Sequence, residues 1–139
     1  MSDTLVARLR TALAAEHAAV YVLAALSTRT SPGALADALR ASYDFHRAAR
    51  DALAERLAAL GDIAPPGAAP AYDLPAGLGT SAGVSAAALA LEQASAVGYG
   101  DLVAATTGSD RTRSIGWLSA TAVRQLGFGG KPSDLPGIV

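Results

Sequence analysis

Three ionisable side chains occupy positions where the helical pattern of this chain predicts leucine. They are Glu16, His46 and Glu92, and each falls on the apolar stripe of a different predicted helix. Burying a polar group without a partner costs about 2–7 kcal/mol, so we expect the three side chains to meet in the core. Two carboxylates and an imidazole in contact can share protons, or they can bind a metal ion. The sequence therefore predicts a buried polar cluster.

One hypothesis is that this cluster binds a metal. Carboxylate oxygen and imidazole nitrogen are ligands of iron, manganese and zinc. With water completing the coordination, Glu16, His46 and Glu92 would hold a single ion of one of these metals. The donor set predicts a metal-binding protein or a non-haem metal oxidoreductase. His17 follows Glu16 directly, but its helical angle places it about 100° away, on the flank of helix 1.

The favoured hypothesis is a metal-free cluster. In it the two carboxylates accept hydrogen bonds from His46, Tyr43, Tyr99 and Ser95, and their proximity raises the pKa of one carboxyl group. Two arginines at the edges of apolar stripes, Arg50 on helix 2 and Arg111 on helix 4, are candidates to reach into it. Such a cluster fixes the register of the helices at a cost in stability. It assigns no catalytic residue.

Four predicted helices position these side chains, and capping and breaker residues delimit them. Their predicted bounds, in chain order, are residues 3–26, 32–60, 81–107 and 110–127. Ser31 is the predicted N-cap of helix 2, and Asp110 is the predicted N-cap of helix 4.

The segment 63–79 is the one long irregular stretch between predicted helices. It holds four of the seven prolines, which cannot continue a helix. About 17 extended residues can run the length of a bundle, and we expect Tyr72 and Leu74 to attach the segment to the helices. Two hairpins joined by one long crossover predict an all-α, ferritin-like antiparallel four-helix bundle. We assign residues 1–127 to this bundle and residues 128–139 to an irregular C-terminal tail.

A ferritin-like di-metal centre needs more ligands than this chain supplies. Such centres take one Glu from each of two helices and a Glu-x-x-His pair from each of the other two. On helix 2, Tyr43 stands where the glutamate of the His46 pair belongs. The residues of helix 4 predicted to face inward offer no ligand: Ile115, Leu118, Ser119, Ala122 and Leu126. The count argues against an ordinary di-iron centre.

Four short motifs stand out along the chain. They are Ala-Ala-Glu-His-Ala-Ala-Val-Tyr at 14–21, His-Arg-Ala-Ala-Arg-Asp at 46–51, Pro-Pro at 65–66 with Ala-Tyr-Asp-Leu-Pro at 71–75, and Tyr-Gly-Asp-Leu-Val at 99–103. With them the chain resembles a family of small, uncharacterised bacterial ferritin-like domains over roughly residues 5–126. The resemblance implies the four-helix fold and descent from metal-binding ancestors. It implies no particular substrate or reaction.

Composition limits the classes of partner and compartment. The formal net charge is −1, so no broad basic surface predicts binding to nucleic acid or to an anionic membrane. The apolar run from Ala18 to Leu26 is far shorter than the roughly 20 residues that span a bilayer. Asp3 stands where a signal peptide would carry a basic residue, so we expect a cytoplasmic protein. The absence of cysteine excludes thiolate ligands and nucleophiles.

Two hypotheses for the function follow. The favoured one is a non-catalytic helical domain with a structural polar cluster, acting through self-association or a partner. The alternative is the metal-dependent protein described above, and a small-molecule pocket between the alanine-rich helices is a third reading. A homodimer is the expected form of self-association, because Tyr21, Val22 and Leu26 broaden the apolar surface of helix 1.

Overall fold

A computed structural model describes residues 2–138 and shows four α-helices with no strand in that range. The helices are α1 (Ser2–Ser27), α2 (Ala34–Ala59), α3 (Ser81–Ala105) and α4 (Gly108–Gly127). The all-α class and the four helices are therefore confirmed, and each predicted boundary lies within two residues of the observed one.

Both predicted N-caps are wrong. Gly33 caps α2 in place of Ser31, with φ +156° and ψ −169°, a backbone conformation essentially restricted to glycine. Thr107 is the N-cap of α4. Asp110 lies inside its first turn, where its carboxylate accepts two short hydrogen bonds from Arg56 of α2, at 2.9 and 3.0 Å. The carboxylate of Asp110, predicted to cap α4, thus forms an ion pair with Arg56 of α2 instead.

The helix ends that pack together define the direction of each helix. α1 packs mainly on α2, and α3 packs mainly on α4, so the chain forms two hairpins. At one end of the bundle an apolar cluster joins the last turns of α1 and the end of α4 to the first turns of α2 and α3: Leu23, Leu26, Leu39, Val84, Ala87, Ala88 and Phe128. α2 and α3 therefore run in one direction, and α1 and α4 run in the other.

A second apolar cluster fills the opposite end of the bundle. Its buried members are Leu9, Leu13, Leu53, Leu57, Tyr99 and Leu102. The middle of each helix lies between these two clusters, and Glu16, His46 and Glu92 are placed there. Apolar side chains thus cover both ends of this middle layer.

The segment between α2 and α3 contacts α1 at two places along that helix. Arg10 donates a hydrogen bond to Asp62 at 2.6 Å, and the rings of Tyr21 and Tyr72 lie 5.4 Å apart, centroid to centroid. Of the two residues expected to attach the segment, Tyr72 makes this ring contact, whereas Leu74 is 38% exposed.

The surface of α1 predicted to broaden a dimer contact is partly covered within the monomer, although Tyr21 remains 37% exposed. Leu26 has no exposed surface and belongs to an apolar cluster, and Tyr21 packs on Tyr72. Leu26 packs against the first turns of α2 and α3, through Leu39 and Val84.

By length and composition alone, α1 is apolar enough to cross a membrane from Asp3 to Ser27. The uninterrupted apolar run from Ala18 to Leu26 is too short to predict this, because charged residues interrupt the rest of the helix. Core helices of soluble proteins meet the same criterion, and α1 contributes Leu9, Leu13 and Leu23 to the interior.

Candidate functional site: a buried ion network

All four helices contribute to one hydrogen-bonded network in the middle of the bundle. Glu16 comes from α1, His46 from α2, Glu92 from α3 and Arg124 from α4. His46 and Glu92 have no exposed surface, and Glu16 is 3% exposed. The structure thus brings together the three ionisable residues singled out in the sequence, and it adds an arginine that the sequence analysis did not select.

His46 lies between the two carboxylates. Its Nδ1 donates to Glu16 Oε2 at 2.6 Å, and its Nε2 donates to Glu92 Oε1 at 3.0 Å. Burial alone lowers the pKa of an imidazole, but the hydrogen bonds and negative charges of the two glutamates outweigh it and raise the pKa of His46 to about 9. At neutral pH His46 is therefore an imidazolium that donates from both ring nitrogens.

Arg124 supplies the second positive charge of the network. Its Nε lies 3.2 Å from Glu92 Oε1 and its Nη2 lies 3.1 Å from Glu92 Oε2, a two-point contact. Nη2 also donates to Thr121 at 2.7 Å, and Cζ lies 3.5 Å above the ring of Phe45. Two carboxylates, one imidazolium and one guanidinium sum to zero charge, which limits the cost of burying them.

Glu92 accepts more hydrogen bonds than any other member of the network. Burial raises the pKa of a carboxyl group, yet the hydrogen bond from His46 and the charges of His46 and Arg124 hold the pKa of Glu92 below its usual value. Ser42, one helical turn before His46, also donates to Glu92 Oε1. An i, i+4 spacing places both α2 donors on the same face.

Tyr99 completes the network on the side of α1. Its hydroxyl donates to Glu16 Oε1. Burial, together with the negative charge of Glu16, raises the pKa of Tyr99 far above its usual value, so the phenol stays protonated. Its ring packs against Phe45 and Trp117, with centroids 6.3 and 5.6 Å away.

Two other residues weighed in the sequence analysis lie outside the network. Tyr43 is half-buried and packs on the apolar cluster at the end of α1, and it makes no hydrogen bond to the described network residues. The interpretation of Tyr43 as a network donor is therefore corrected. His17 lies on the flank of α1, where its Nε2 is 3.0 Å from the carbonyl oxygen of Pro66.

The two candidate arginines also point elsewhere. Arg50 binds the exposed carboxylate of Asp51, and Arg111 donates to the backbone carbonyl of Val103. One signal in the sequence would have favoured Arg124 instead. Two inward carboxylates and one histidine leave a negative charge uncompensated, and Arg124 is the one cation in the second half of α4.

The inward face of α4 differs from the predicted one. Ile115 and Leu126, predicted to face the core, are each 47% exposed, whereas Ser114 and Thr121 are buried. Pattern analysis places the most apolar stripe inward. Here α4 turns a mixed side to the bundle: Arg124 donates to the carboxylate of Glu92, while Trp117 and Leu118 pack on the apolar cluster.

The arrangement does not fit a metal centre. The carboxylates of Glu16 and Glu92 bind opposite ring nitrogens of His46, so the imidazole separates them and has no lone pair left to coordinate an ion. Arg124 occupies both oxygens of Glu92. Within residues 2–138 no group of three or more His, Asp or Glu side chains is arranged to hold a metal ion.

Glu16 and Tyr99 also reach the floor of a groove between α1 and α3. The groove encloses about 260 Å³, and small or apolar residues form most of its walls: Ala12, Ala15, Ala19, Val22, Leu91, Ala94 and Gly98. A pocket between alanine-rich helices was the third reading of the sequence, which assigned it to no particular pair of helices. Glu16 and Tyr99 already bind within the network, and Ser95 is the one other polar residue of the lining, so the surface of the groove is mostly apolar.

Comparison with known proteins agrees with this architecture. Residues 8–139 match the family model described as Domain of unknown function (DUF4439). Two chains of solved structures match significantly. One belongs to the crystal structure of a conserved hypothetical protein, rv2844, from Mycobacterium tuberculosis, with 28% sequence identity, a TM-score of 0.84, and coverage of 93% of this chain and 97% of that chain. None of the curated proteins matches significantly. The chain belongs to the DUF4439 family, a domain of unknown function.

Proposed function

We propose that this protein is a non-catalytic, ferritin-like helical domain in which two side-chain cations, His46 and Arg124, take the place of metal ions. The two hairpins, with α1 and α4 opposed to α2 and α3, support the ferritin-like assignment. On this proposal the network stabilises the fold, and the protein acts in the cytoplasm through self-association or a partner.

One observation carries the proposal: donors of the chain itself engage all four carboxylate oxygens of the network. Tyr99 and His46 each donate to one oxygen of Glu16, and Arg124 donates to both oxygens of Glu92. A metal ion would have to displace a buried cation, which would then lack its counter-charge. Breaking a buried ion pair in this way typically costs about 3–5 kcal/mol.

Lack of access further disfavours catalysis by the network. A general acid or base must come within hydrogen-bond distance of the reacting group. His46 and Glu92 have no exposed surface, and both ring nitrogens of His46 are already donating. Chemistry at His46 or Glu92 would require the helices to separate.

The alternative is a metal-binding protein or non-haem metal oxidoreductase using Glu16, His46 and Glu92. The meeting of these three ligand-type side chains in one layer supports it. It requires His46 to lose its proton and Arg124 to leave Glu92, because a ligating histidine offers a neutral nitrogen. The first proposal needs neither rearrangement.

The protonation of His46 distinguishes the two hypotheses directly. We expect nitrogen-15 NMR at pH 7 to show both ring nitrogens of His46 protonated, before and after incubation with iron, manganese or zinc. His46→Gln assigns the signals. A metal-ligated or unprotonated ring nitrogen at pH 7 would contradict the proposal.

Metal content of protein purified without a metal-affinity tag gives a second, independent readout. We expect far less than one equivalent of iron, manganese or zinc, unchanged in Glu16→Gln. Arg56→Met, which breaks an ion pair outside the network, is the matched control for loss of fold stability. About one equivalent, lost in Glu16→Gln but kept in Arg56→Met, would establish the alternative.

A further inference from the structure

α4 turns an apolar stripe away from the bundle. On this outer face Ile115 and Leu126 are each 47% exposed and Val123 is 67% exposed, while Thr121 on the opposite face is fully buried. A helix in a monomeric bundle normally buries its apolar side. The outer face of α4 is therefore apolar surface that the monomer leaves uncovered.

The C-terminal tail enlarges this surface. It follows α4 directly and lies against α3, where the backbone of Gly137 approaches the carbonyl group of Ala96. Leu135 and Ile138 in the tail are 67% and 70% exposed. In the described part of the chain, five of the eight exposed large apolar side chains thus belong to α4 or the tail.

The stripe on α4 is symmetric in the size of its residues. Its members, in order, are the large Ile115, the small Ser119 and Ala122, and the large Leu126. When the helix is reversed about the midpoint of this stripe, Ile115 and Leu126 exchange places, and so do Ser119 and Ala122. A two-fold contact requires this self-complementarity, since the same patch serves on both copies, and small residues at the centre let two helices approach closely.

Charge and size favour a second copy as the occupant. Between Arg113 and Arg124 the helix carries no charged residue, as in the centre of protein interfaces, where charges are depleted. The outer face of α2 is highly charged instead, with Asp44, Arg47 and Asp51 exposed. At 20 residues α4 is about 30 Å long, and each partner in a standard interface buries roughly 800 Å², so the exposed tail residues Leu135 and Ile138 must join α4 in a contact of that size.

We propose that the outer face of α4, extended by the tail, is the contact surface of a homodimer. The α4 helices of two copies pack antiparallel about a two-fold axis near Ser119 and Ala122, and Ile115 of each copy meets Leu126 of the other. The dimer specifies the self-association in the proposed function. It rests on the proposed function only for the statement that the protein self-associates.

Light scattering after size-exclusion chromatography tests the contact. We expect the wild-type protein to have twice the 13.9 kDa chain mass at tens of micromolar. Ser119→Arg and Val123→Arg should yield folded monomers, because each would bury like charges in a symmetric apolar contact. Ala48→Arg, at an exposed alanine on α2, should remain dimeric, and circular dichroism checks that all three variants stay helical.

Disulfide trapping locates the two-fold axis. The chain has no cysteine, so Ser119→Cys introduces a single thiol at the proposed axis, and mild oxidation should link most of the protein into dimers. Ala48→Cys should stay largely unlinked under the same conditions. Equal linking of both variants would overturn the proposed contact.

Three further outcomes would also overturn the dimer. They are a monomeric wild-type protein at all concentrations, a dimer that survives both arginine variants, and a wild-type monomer that floats with phosphatidylcholine vesicles through α4. These experiments measure mass and linkage, whereas the proposed function is tested by metal content and imidazole protonation. Either can fail while the other holds.

Discussion

A buried imidazolium between two carboxylates makes stability depend on pH in a definite direction. The pKa of His46 is about 9 in the folded protein and 6.5 in its ordinary state. Its protonation therefore contributes fully below pH 6.5, and the contribution is lost as pH rises through 9. His46 contacts Glu16, Glu92 and Tyr99, and Arg124 contacts Glu92. Burial holds the pKa of Tyr99 far above its usual value, so its phenol keeps its proton over this range.

We expect the free energy of unfolding to fall by about 3 kcal/mol between pH 6 and pH 9.5. Urea unfolding followed by circular dichroism measures it. His46→Gln should abolish most of this pH dependence, while His17→Gln, which removes the other histidine, should keep it. An equal fall in His46→Gln would mean that another group titrates.

Among residues that reach the surface, we expect Arg124 to be one of those whose substitution lowers the free energy of unfolding most. Arg124→Met leaves the buried Glu92 short of one cation and should lower the free energy of unfolding by about 3 kcal/mol. Arg50→Met is the matched control, because its partner Asp51 is 62% exposed and such pairs contribute at most about 1 kcal/mol. If Arg124→Met cost no more than Arg50→Met, the ion pair with Glu92 would not be a stabilising element.

A double-mutant cycle separates the ion pair from the packing of Arg124 on Phe45. Combining Arg124→Met with Glu92→Gln should cost clearly less than the sum of the single changes, because the second removes the charge that the first leaves uncompensated. Strict additivity would show that the contact with Phe45 carries the effect.

The core of the network could be anticipated from single residues. An ionisable group on an apolar stripe must find a partner, and this reasoning selected Glu16, His46, Glu92 and also Tyr99. It failed for Tyr43, because a tyrosine at the edge of a stripe satisfies its hydroxyl in water as easily as in the core. Ser42 was missed because a small hydroxyl residue on a helix carries little signal of its own.

At the scale of the elements, the boundaries of the helices were predictable and the orientation of α4 was not. Prolines, glycines and stripes of leucine mark where helices begin and end. The rotation of α4 depends on the charge of Glu92 on α3, and the sequence of α4 alone contains no sign of that charge. The apolar stripe of Ile115 and Leu126 predicted the wrong inward face.

Tyr72 is expected to hold the segment between α2 and α3 on α1. Its ring packs on Tyr21, and its hydroxyl accepts a hydrogen bond from the Ala69 amide at 2.9 Å. Tyr72→Ala should make amides 62–78 exchange hydrogen faster by tenfold or more, and it should change global stability by less than about 1 kcal/mol, because surface segments open locally. Tyr72→Phe, which keeps the ring, should affect mainly Ala69.

Hydrogen exchange read by mass spectrometry after pepsin digestion resolves this segment from the helices. Acceleration spread equally over α1 and α2 in Tyr72→Ala would show that the segment is part of the cooperative core instead.

At the scale of the whole molecule, Gly137 is expected to control how the tail docks. Its φ is +80°, and an added Cβ would overlap the carbonyl group of Ala96 on α3. Gly137→Ala should release the tail, so that protease removes it faster and the proposed dimer weakens severalfold. Gly67→Ala, at a glycine with open space around it, is the control and should change neither property.

The tail's docking was beyond sequence reasoning because it rests on backbone contact. Glycine and proline after α4 predicted an irregular segment, and they contained no information on which helix it would lie against. Close approach of the Gly137 backbone to α3 becomes visible only once both are placed.

Trp117 gives the network an optical reporter. It is the chain's single tryptophan, and its ring lies 5.6 Å from that of Tyr99, whose hydroxyl binds Glu16. Light absorbed by Tyr99 at this distance passes to the indole, so tryptophan emission reads out the layer that holds His46. Deprotonation of that imidazolium near pH 9 changes the field at both rings, and a fluorimeter can follow it without any label.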